Sequence, residues 1–277
     1  MKIKLLQLNI FQGRYLDNII DFVKKNDFDI LHFQEVTGGG YSEGGIYYVP
    51  EKFLKEVKGI RSKLSSNEKY IGIDCFGEIK KRLSYEGFIS KNAIMDNDES
   101  SYFGNATFYK KNLKPEESRI FTIKKAAQMR SLDEFNPKTV GRSVVLLKYN
   151  FPNENIWFVN THLLWGPTSF DDKPRLKEGK MLIDYLGKLG ESFVLSGDFN
   201  LSKESEVIEG LSKISVNQAK NLPNTLNPEV HAARSLFPPG LAVDYIFTSP
   251  QIKTANFKLV EKPNLSDHLG LSIEIEV

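Results

Sequence analysis

Several short apolar runs in this sequence end abruptly in carboxylate, amide or imidazole side chains. In α/β proteins, ligands bind beyond the ends of the strands, where residues far apart in sequence can meet. The pattern therefore predicts buried strands whose polar ends converge on one site. These polar ends are Asn9, Gln34-Glu35, Asn160-Thr161-His162, Asp198 with Asn200, Asp244, and Ser266-Asp267-His268.

The first elements favour an α/β architecture. Ile3 to Asn9 has the composition of a strand, Leu16 to Lys25 carries apolar residues at helical spacing, and Phe28 to Gln34 is typical of a buried strand. A strand, a helix and a second strand in succession are typical of α/β folds.

The rest of the chain predicts a β-rich middle and several amphipathic helices. Gly38 to Gly45 lacks the Gly-Lys-Ser/Thr ending of a phosphate-binding loop, so we expect a surface loop, and Asn221 to Gly240 holds four prolines and predicts a long loop. Helices are predicted over Phe53–Leu64, Pro174–Leu189 and Val207–Leu211. Strands are predicted over Ile71–Phe76, Gly87–Ser90, Asn105–Tyr109, Arg119–Lys124, Val144–Tyr149, Ile156–Asn160, Phe193–Ser196, Val243–Thr248 and Leu271–Val277.

Charge and composition narrow the class of protein. The net charge of +2 lacks the basic excess common in nucleic-acid binders, although a local basic groove would not change the sum. The single cysteine, Cys75, fits a reducing compartment, and polar Gln7 and Asn9 interrupt the first apolar run, which argues against a signal peptide. We expect a cytoplasmic, monomeric protein with one domain over residues 1–277 and no membrane insertion.

The polar ends include a set of hard oxygen ligands. Asn9, Glu35 and Asp267 suit Mg²⁺ or Mn²⁺ better than zinc, and the sequence has neither a cysteine cluster nor a His-Glu-x-x-His motif. His162 and His268 lie within the same polar motifs. A cation beside carboxylates and imidazoles is suited to phosphodiester hydrolysis, because it neutralises phosphate charge while the side chains position water and donate hydrogen bonds.

Six motifs resemble those of the endonuclease/exonuclease/phosphatase superfamily. No single motif is specific, but all six occur in the family's order over almost the whole chain. The resemblance implies an α/β fold, a DNase-like four-layer α/β sandwich with two central β-sheets and the site at one end. The motifs are Leu-Asn-Ile (8–10), Phe-Gln-Glu-Val (33–36), Asn-Thr-His-Leu (160–163), Ser-Gly-Asp-Phe-Asn (196–200), Val-Asp-Tyr-Ile-Phe (243–247) and Ser-Asp-His (266–268).

The resemblance also implies which residues handle the metal and the water. Glu35 would be the principal metal carboxylate, assisted by Asn9 and Asp267. Asp198 would orient or deprotonate the attacking water, and Asn200 would help to hold that water or the phosphate. Which group is the formal base differs among the mechanisms proposed for this family.

Further residues would contact the phosphate. By the same resemblance, His268 would do so with Asp244 fixing its ring, and His162 would donate to a phosphate oxygen. Arg142 resembles an arginine that touches phosphate in deoxyribonuclease-like members, although an arginine before a strand is more often on the surface. Outside the motifs, we expect His231 on the surface, with a smaller chance that it lines the cleft, and His32 in a structural role.

The substrate stays open among phosphoesters. The motifs of apurinic-site endonucleases differ from Asn160-Thr161-His162 and Glu35-Val36-Thr37 in this chain, which argues against that class of enzyme. The loop at Trp165 directly follows a site motif and is the candidate for substrate selection. We expect a phosphodiester substrate, which would be DNA, RNA or a nucleotide-like ester. The alternatives are a lipid or sugar-phosphate phosphoesterase, like sphingomyelinases or inositol phosphatases, or a catalytically silent member used as a binding module.

Overall fold

The computed structural model describes residues 1–39, 45–47, 70–72, 74–95, 98–129, 139–231, 240–262 and 264–277. Four helices and a short 3₁₀ turn at Phe11–Gly13 flank the strands in these ranges. The helices are α1 (Leu16–Asn26), α2 (Cys75–Leu83), α3 (Lys173–Leu186) and α4 (Glu206–Ile214). The strands are β1 (Lys2–Asn9), β2 (Ile30–Gly38), β3 (Gly45–Tyr47), β4 (Tyr70–Gly72), β5 (Tyr85–Met95), β6 (Asp98–Lys110), β7 (Glu117–Lys124), β8 (Ala127–Met129), β9 (Arg142–Asn150), β10 (Asn155–His162), β11 (Ser192–Asp198), β12 (Val216–Asn217), β13 (Asp244–Thr248), β14 (Thr254–Val260) and β15 (Gly270–Glu276).

Two mixed sheets form the centre of the described structure. The first has the strand order β14-β15-β1-β2-β6-β5-β8, and the second has the order β12-β13-β11-β10-β9-β7. Strand β1 is parallel to β2 and antiparallel to β15, so the first and last strands of the chain are neighbours. Strand β10 is parallel to β11, and β13 runs antiparallel to β11.

The alternation of side chains along β1 explains why the sheets are covered on both faces. Leu6 and Leu8 belong to the hydrophobic cluster formed with α1 and α2, whereas Ile3 and Leu5 pack with residues of the second sheet. Because side chains alternate between the two faces of a strand, one face of the first sheet meets helices and the other meets the second sheet.

Helices α3 and α4 complete the layers on the far side. Leu182 and Leu186 of α3 and Ile208 and Leu211 of α4 pack in the same cluster as the second sheet. Burial of each such aliphatic side chain stabilises the fold by about 1.5–3 kcal/mol. The predicted four-layer sandwich with two central sheets is thereby confirmed. No helix within the described ranges is long and apolar enough to cross a membrane.

Most predicted elements are confirmed, with one error of bounds and four strands, β3, β8, β12 and β14, that were not predicted. The predicted strand over Ile71–Phe76 is wrong at its end, because α2 begins at Cys75, where the Asp74 side chain caps it by accepting from the Gly77 N–H at 2.9 Å. Strand β14 was missed, although it alternates between exposed and half-buried residues along most of its length. The predicted helix over Phe53–Leu64 lies outside the described residues, as does much of the loop over Gly38–Gly45.

The close approach of β10 and β11 requires a glycine. A Cβ atom added to Gly197 would lie 1.9 Å from the carbonyl oxygen of Thr161 in the neighbouring strand. We expect Gly197→Ala to lower the free energy of unfolding by about 2–3 kcal/mol in a urea titration, since overpacking displaces the backbone.

Gly187→Ala is the matched control. Gly187 has φ −61°, and its nearest contact would be an ordinary 3.4 Å to Ile183 O. This substitution should leave the free energy of unfolding unchanged or raise it by about 0.4–1 kcal/mol. Equal stability of the two variants would contradict the steric argument.

Candidate active site

The polar ends of the strands meet at one edge of the two sheets. Strands β1, β10 and β11 end at Asn9, His162 and Asp198, and β13 begins at Asp244, which is paired in register with Asp198. The gap between the sheets is bridged by the Asn9 Nδ2 atom, which donates to Asp198 Oδ2 at 3.1 Å. The segment Ser266–His268, before β15, joins the same edge through a 2.5 Å hydrogen bond from Ser266 Oγ to Asn9 O.

A β-bulge aims Glu35 at this edge. The pairing of β2 with β6 shifts register between Phe33 and Val36, and Glu35 has φ 56°, in the left-handed region that non-glycine residues rarely adopt. Bulges of this kind re-aim side chains beside active sites. Here Glu35 Oε1 accepts from Asn9 Nδ2 at 3.2 Å, which joins the carboxylates of Glu35 and Asp198 through one amide.

Glu35 and Asp267 form an acidic pair in a poorly solvated place. Burial, and next the charge of Asp267, raise the pKa of Glu35 to about 7. Burial likewise raises the pKa of Asp267, with Asp198 acting in the same direction and His268 against it. Carboxylates that resist ionisation in this way are stabilised by a cation.

The donor set fits a hard divalent cation. Glu35 and Asp267 supply carboxylate oxygens, and Asn9 supplies an amide oxygen that accepts from Phe11 N at 3.1 Å and keeps a second lone pair. Oxygen ligands of this type suit Mg²⁺ or Mn²⁺. The structure therefore brings together the three residues predicted as metal ligands.

His268 and Asp244 form a buried pair opposite the acidic pair. His268 Nδ1 lies 2.9 Å from Asp244 Oδ2, and its Nε2 lies 3.8 Å from Asp198 Oδ2. Burial lowers the pKa of His268, but Asp244, Asp198 and Asp267 together outweigh burial and hold that pKa well above its usual value. His268 is accordingly an imidazolium at neutral pH, with Nε2–H directed away from Asp244.

His162 differs from His268 in its charge. Its Nε2 lies 3.5 Å from Asp198 Oδ2, but burial lowers the pKa of His162 to about 4, with Asp198 acting in the opposite direction. His162 is neutral near pH 7 and can donate one hydrogen bond. Asp198 Oδ1 accepts from the Asn200 N–H at 2.9 Å, and Asn200 Nδ2 donates to Leu163 O at 3.1 Å, so Asn200 is fixed beside both residues.

Arg142 lies inside the protein at the first position of β9, and is 3% exposed. An arginine that precedes a strand is more often on the surface, but Arg142 is buried. Burial lowers the pKa of Arg142, while Glu178, Asp198 and Glu35 act to raise it, which indicates that its guanidinium lies near the acidic groups of the site.

Glu178 was not predicted from the sequence. It lies in α3 and accepts from Leu164 N at 3.0 Å, directly after the His162 motif.

Buried amides connect the two sheets behind the site. Gln34 Nε2 donates to Asn160 Oδ1 at 2.7 Å, and Gln7 Nε2 donates to Gln34 Oε1 at 3.0 Å and to Asp244 Oδ1 at 2.9 Å. The hydroxyl of Thr225 donates to Asp244 Oδ2 at 2.7 Å. Both carboxylate oxygens of Asp244 thus accept hydrogen bonds from residues other than His268. The sequence analysis did not predict this network, although polar residues at inward positions of apolar strands are a signal that could have indicated it.

His231 corrects a prediction. It was expected on the surface, with lining of the cleft as the less favoured alternative, yet it is half-buried and its ring centroid lies 5.5 Å from that of His268. Asn227 accounts for this position, because its N–H donates to Asp267 O at 2.7 Å and its carbonyl accepts from the His231 N–H at 2.9 Å. His32, by contrast, is buried between the sheets as a structural residue, 2.7 Å from Ser196 Oγ.

The loop after His162 is held in place by a buried arginine. Arg175 Nη1 donates to Thr168 O at 2.5 Å and to Asn200 O at 3.3 Å, which ties the loop to the site. Trp165 is 40% exposed and Phe170 is 65% exposed in this loop. Two large apolar side chains therefore face solvent in the loop that follows the His162 motif.

A family comparison agrees with this geometry. The Endonuclease/Exonuclease/phosphatase family matches residues 6–268. The chain belongs to this family. Its members are phosphoester hydrolases. No curated protein matches the sequence significantly.

Solved structures share the fold of this family member at low sequence identity. An endonuclease/exonuclease/phosphatase from Bacteroides vulgatus has a TM-score of 0.68 and 17% identity, with coverage of 100% of this chain and 99% of its own. A mannosyl-6-phosphatase from Bacteroides thetaiotaomicron has a TM-score of 0.66 and 16% identity, covering 99% and 100%. The human Nocturnin catalytic domain with bound sulfate has a TM-score of 0.65 and 17% identity, covering 99% and 93%.

The raised pKa of Glu35 predicts a stability effect with a defined sign. Between its ordinary pKa of 4.5 and about 7, the unfolded chain releases the Glu35 proton before the folded protein does. Folding therefore becomes less favourable through this range, and the loss persists above it. We expect Glu35→Gln to raise the Tm of metal-free protein by about 2–6 °C at about pH 8, with little effect near pH 4.5. A Tm lowered at both pH values would contradict this account.

The buried amides predict a second effect. Gln7→Met keeps the approximate volume but removes the donor to Asp244, so we expect the free energy of unfolding to fall by about 1–3 kcal/mol in a urea titration. Gln218→Met is the matched control, because half-buried Gln218 donates to Thr248 Oγ1 at the other end of β13. It should change stability by less than about 1 kcal/mol. If Gln7→Met were as stable as wild type, the network would not tie the sheets together.

Proposed function

We propose that this protein is a Mg²⁺-dependent phosphodiester hydrolase that acts on nucleic acid or a nucleotide-like phosphoester. The observation that carries the proposal is the position of Asp198 between an acidic pair and two imidazoles. Its Oδ2 atom lies 3.1 Å from Asn9 Nδ2, 3.5 Å from His162 Nε2 and 3.8 Å from His268 Nε2. A phosphate seated there would meet a metal on one side and hydrogen-bond donors on the other.

Glu35 and Asp267 would hold the cation, with Asn9 as a third oxygen ligand. A bound Mg²⁺ supplies a Lewis acid that neutralises charge on the phosphate oxygens. The raised pKa values of both carboxylates support this assignment, since a cation would favour their ionised forms.

Asp198 would orient the attacking water and accept its proton. The Asn200 backbone N–H holds Asp198 Oδ1, which leaves Oδ2 directed toward the centre of the site. Asn200 and Arg142 would contact the phosphate, Arg142 from a buried position near Glu35 and Asp198. Fixed donors and charges are effective because they need little reorganisation as charge develops in the transition state.

His268 would stabilise the developing charge as a cation, through Nε2–H. Asp244 fixes the opposite nitrogen and the charge, so the ring cannot rotate without losing its 2.9 Å hydrogen bond. His162, being neutral, would donate its single N–H to a second phosphate oxygen. The two imidazoles thus have different electrostatic roles despite facing the same carboxylate.

Exposed aromatic residues support a substrate with rings. Trp165 and Phe170 lie in the loop after His162, and aromatic side chains bind nucleobases by stacking. A sugar-phosphate substrate is the second candidate, because the similar fold from Bacteroides thetaiotaomicron is a mannosyl-6-phosphatase. Sugar rings also pack on aromatic side chains, so the substrate must be chosen by assay.

The first experiment measures hydrolysis of bis-p-nitrophenyl phosphate with Mg²⁺, with EDTA, and after Mg²⁺ is restored. We expect EDTA to abolish turnover and Mg²⁺ to restore it. Glu35→Gln should lower turnover by about 10²–10⁴-fold through loss of the metal, and His268→Ala by a similar or larger factor through loss of the cation. Circular dichroism checks that both variants fold.

Glu209→Gln is the control, because Glu209 is an exposed carboxylate paired with Lys213 on α4. It should retain wild-type turnover. Equal, metal-independent turnover by wild type and Glu35→Gln would refute the proposal. Single-stranded DNA, duplex DNA, RNA, sphingomyelin and mannose 6-phosphate would then be compared by kcat/KM, and no turnover of any of them would favour a silent member used for binding.

A further inference from the structure

We propose that His231, Asp267 and His268 form a second cation site, selective for a transition-metal ion such as Zn²⁺, which inhibits the enzyme when filled. Ligand atoms of these three residues all lie within 4.8 Å of one another. The inhibition rests on the hydrolase function proposed above, whereas the binding site itself does not.

The backbone holds the three residues together. The segment before His231 is attached to the segment before β15, with Leu226 bridged to His268 and Asn227 N donating to Asp267 O at 2.7 Å. Asn227 Nδ2 adds a 2.8 Å hydrogen bond to Ser266 O. His231 therefore lies beside His268 because the main chain fixes it there, independently of the rotamers of the two rings.

His268 is oriented as a metal-binding histidine would be. Its Nδ1 atom is 2.9 Å from Asp244 Oδ2, so Nε2 is the atom directed into the site. A carboxylate on the far nitrogen fixes the ring and strengthens an imidazole as a ligand, as in carboxylate–histidine–zinc arrangements. Asp244 is itself held by Gln7 and Thr225. Asp198 Oδ2 lies 3.8 Å from the same His268 Nε2 atom.

The ligand types separate this site from the oxygen site. Two imidazoles and a carboxylate suit Zn²⁺, Cu²⁺ or Ni²⁺, whereas the oxygen set of Glu35, Asp267 and Asn9 suits Mg²⁺. His231 and Asp267 are both half-buried. On binding, the Nε2 proton of His268 passes to solvent and the Nε2 lone pair takes the metal. The ion therefore removes the donor used in hydrolysis and engages the carboxylate shared with Mg²⁺.

The test is calorimetric titration of Zn²⁺ into wild type and His231→Gln, each stripped of bound metal and then equilibrated with excess Mg²⁺. We expect one Zn²⁺ per wild-type chain and an affinity at least about 10-fold lower for His231→Gln. His231→Cys should restore binding, because a thiolate is a good zinc ligand. His162→Gln is the control, since His162 is an imidazole of the same edge outside the cluster, and it should bind Zn²⁺ like wild type.

The inhibition is measured on Mg²⁺-dependent hydrolysis. We expect Zn²⁺ to inhibit wild type and to require at least about 10-fold more metal for His231→Gln, whose turnover without Zn²⁺ should match wild type. Equal Zn²⁺ affinity of wild type and His231→Gln, or no binding by wild type, would overturn the site. Loss of Zn²⁺ binding in Glu35→Gln with full binding in His231→Gln would place the ion at the oxygen site instead. If the protein proved inactive, calorimetry would still decide whether the site exists.

Discussion

The hydrogen bond from Gln7 to Asp244 crosses between the two sheets, and the geometry of the site depends on it. Strand β1 belongs to one sheet and β13 to the other, so this bond fixes the distance between the Asn9 end and the Asp244–His268 pair. Gln34 and Asn160 extend the same network, and all the groups involved are buried. Because buried polar groups are costly without partners, the network favours one alignment of the sheets over any slipped alternative.

The inner face of the first sheet changes character along its strands. Ile3 and Leu5 in β1 are followed at inward positions by Gln7 and Asn9, which join hydrogen bonds to residues of the second sheet. Apolar packing thus holds the sheets together at one end, while polar contacts position the groups of the proposed site at the other. The left-handed backbone of Glu35 and the clustered carboxylates add local strain, which the hydrophobic end of the sandwich offsets.

Local patterns predicted the α/β class and the polar strand ends, whereas the resemblance to the superfamily implied the four layers and the roles of the site residues. Apolar runs that end in polar residues predicted the ends of β1, β10 and β11. The order of the six motifs along the chain then indicated the superfamily. The Cys75 helix was missed because its apolar residues follow a strand directly, and only the Asp74 cap marks the change. Glu178 and His231 lie in no motif, and their places depend on the packing of α3 and on contacts of Asn227, which no local pattern contains.

The pairing of β1 with β15 has a consequence for how the protein folds. Lys2 lies opposite Glu276, so the central position of β1 in its sheet is completed only by residues at the far end of the sequence. Contacts between residues so distant along the chain form slowly, because a long loop must close before any interaction rewards it. During synthesis, Asn9 and Glu35 emerge long before His268, and strand β1 lacks its neighbour β15 until residues 270–276 have been made. The proposed site therefore cannot be complete on a partly synthesised chain that lacks His268 and β15.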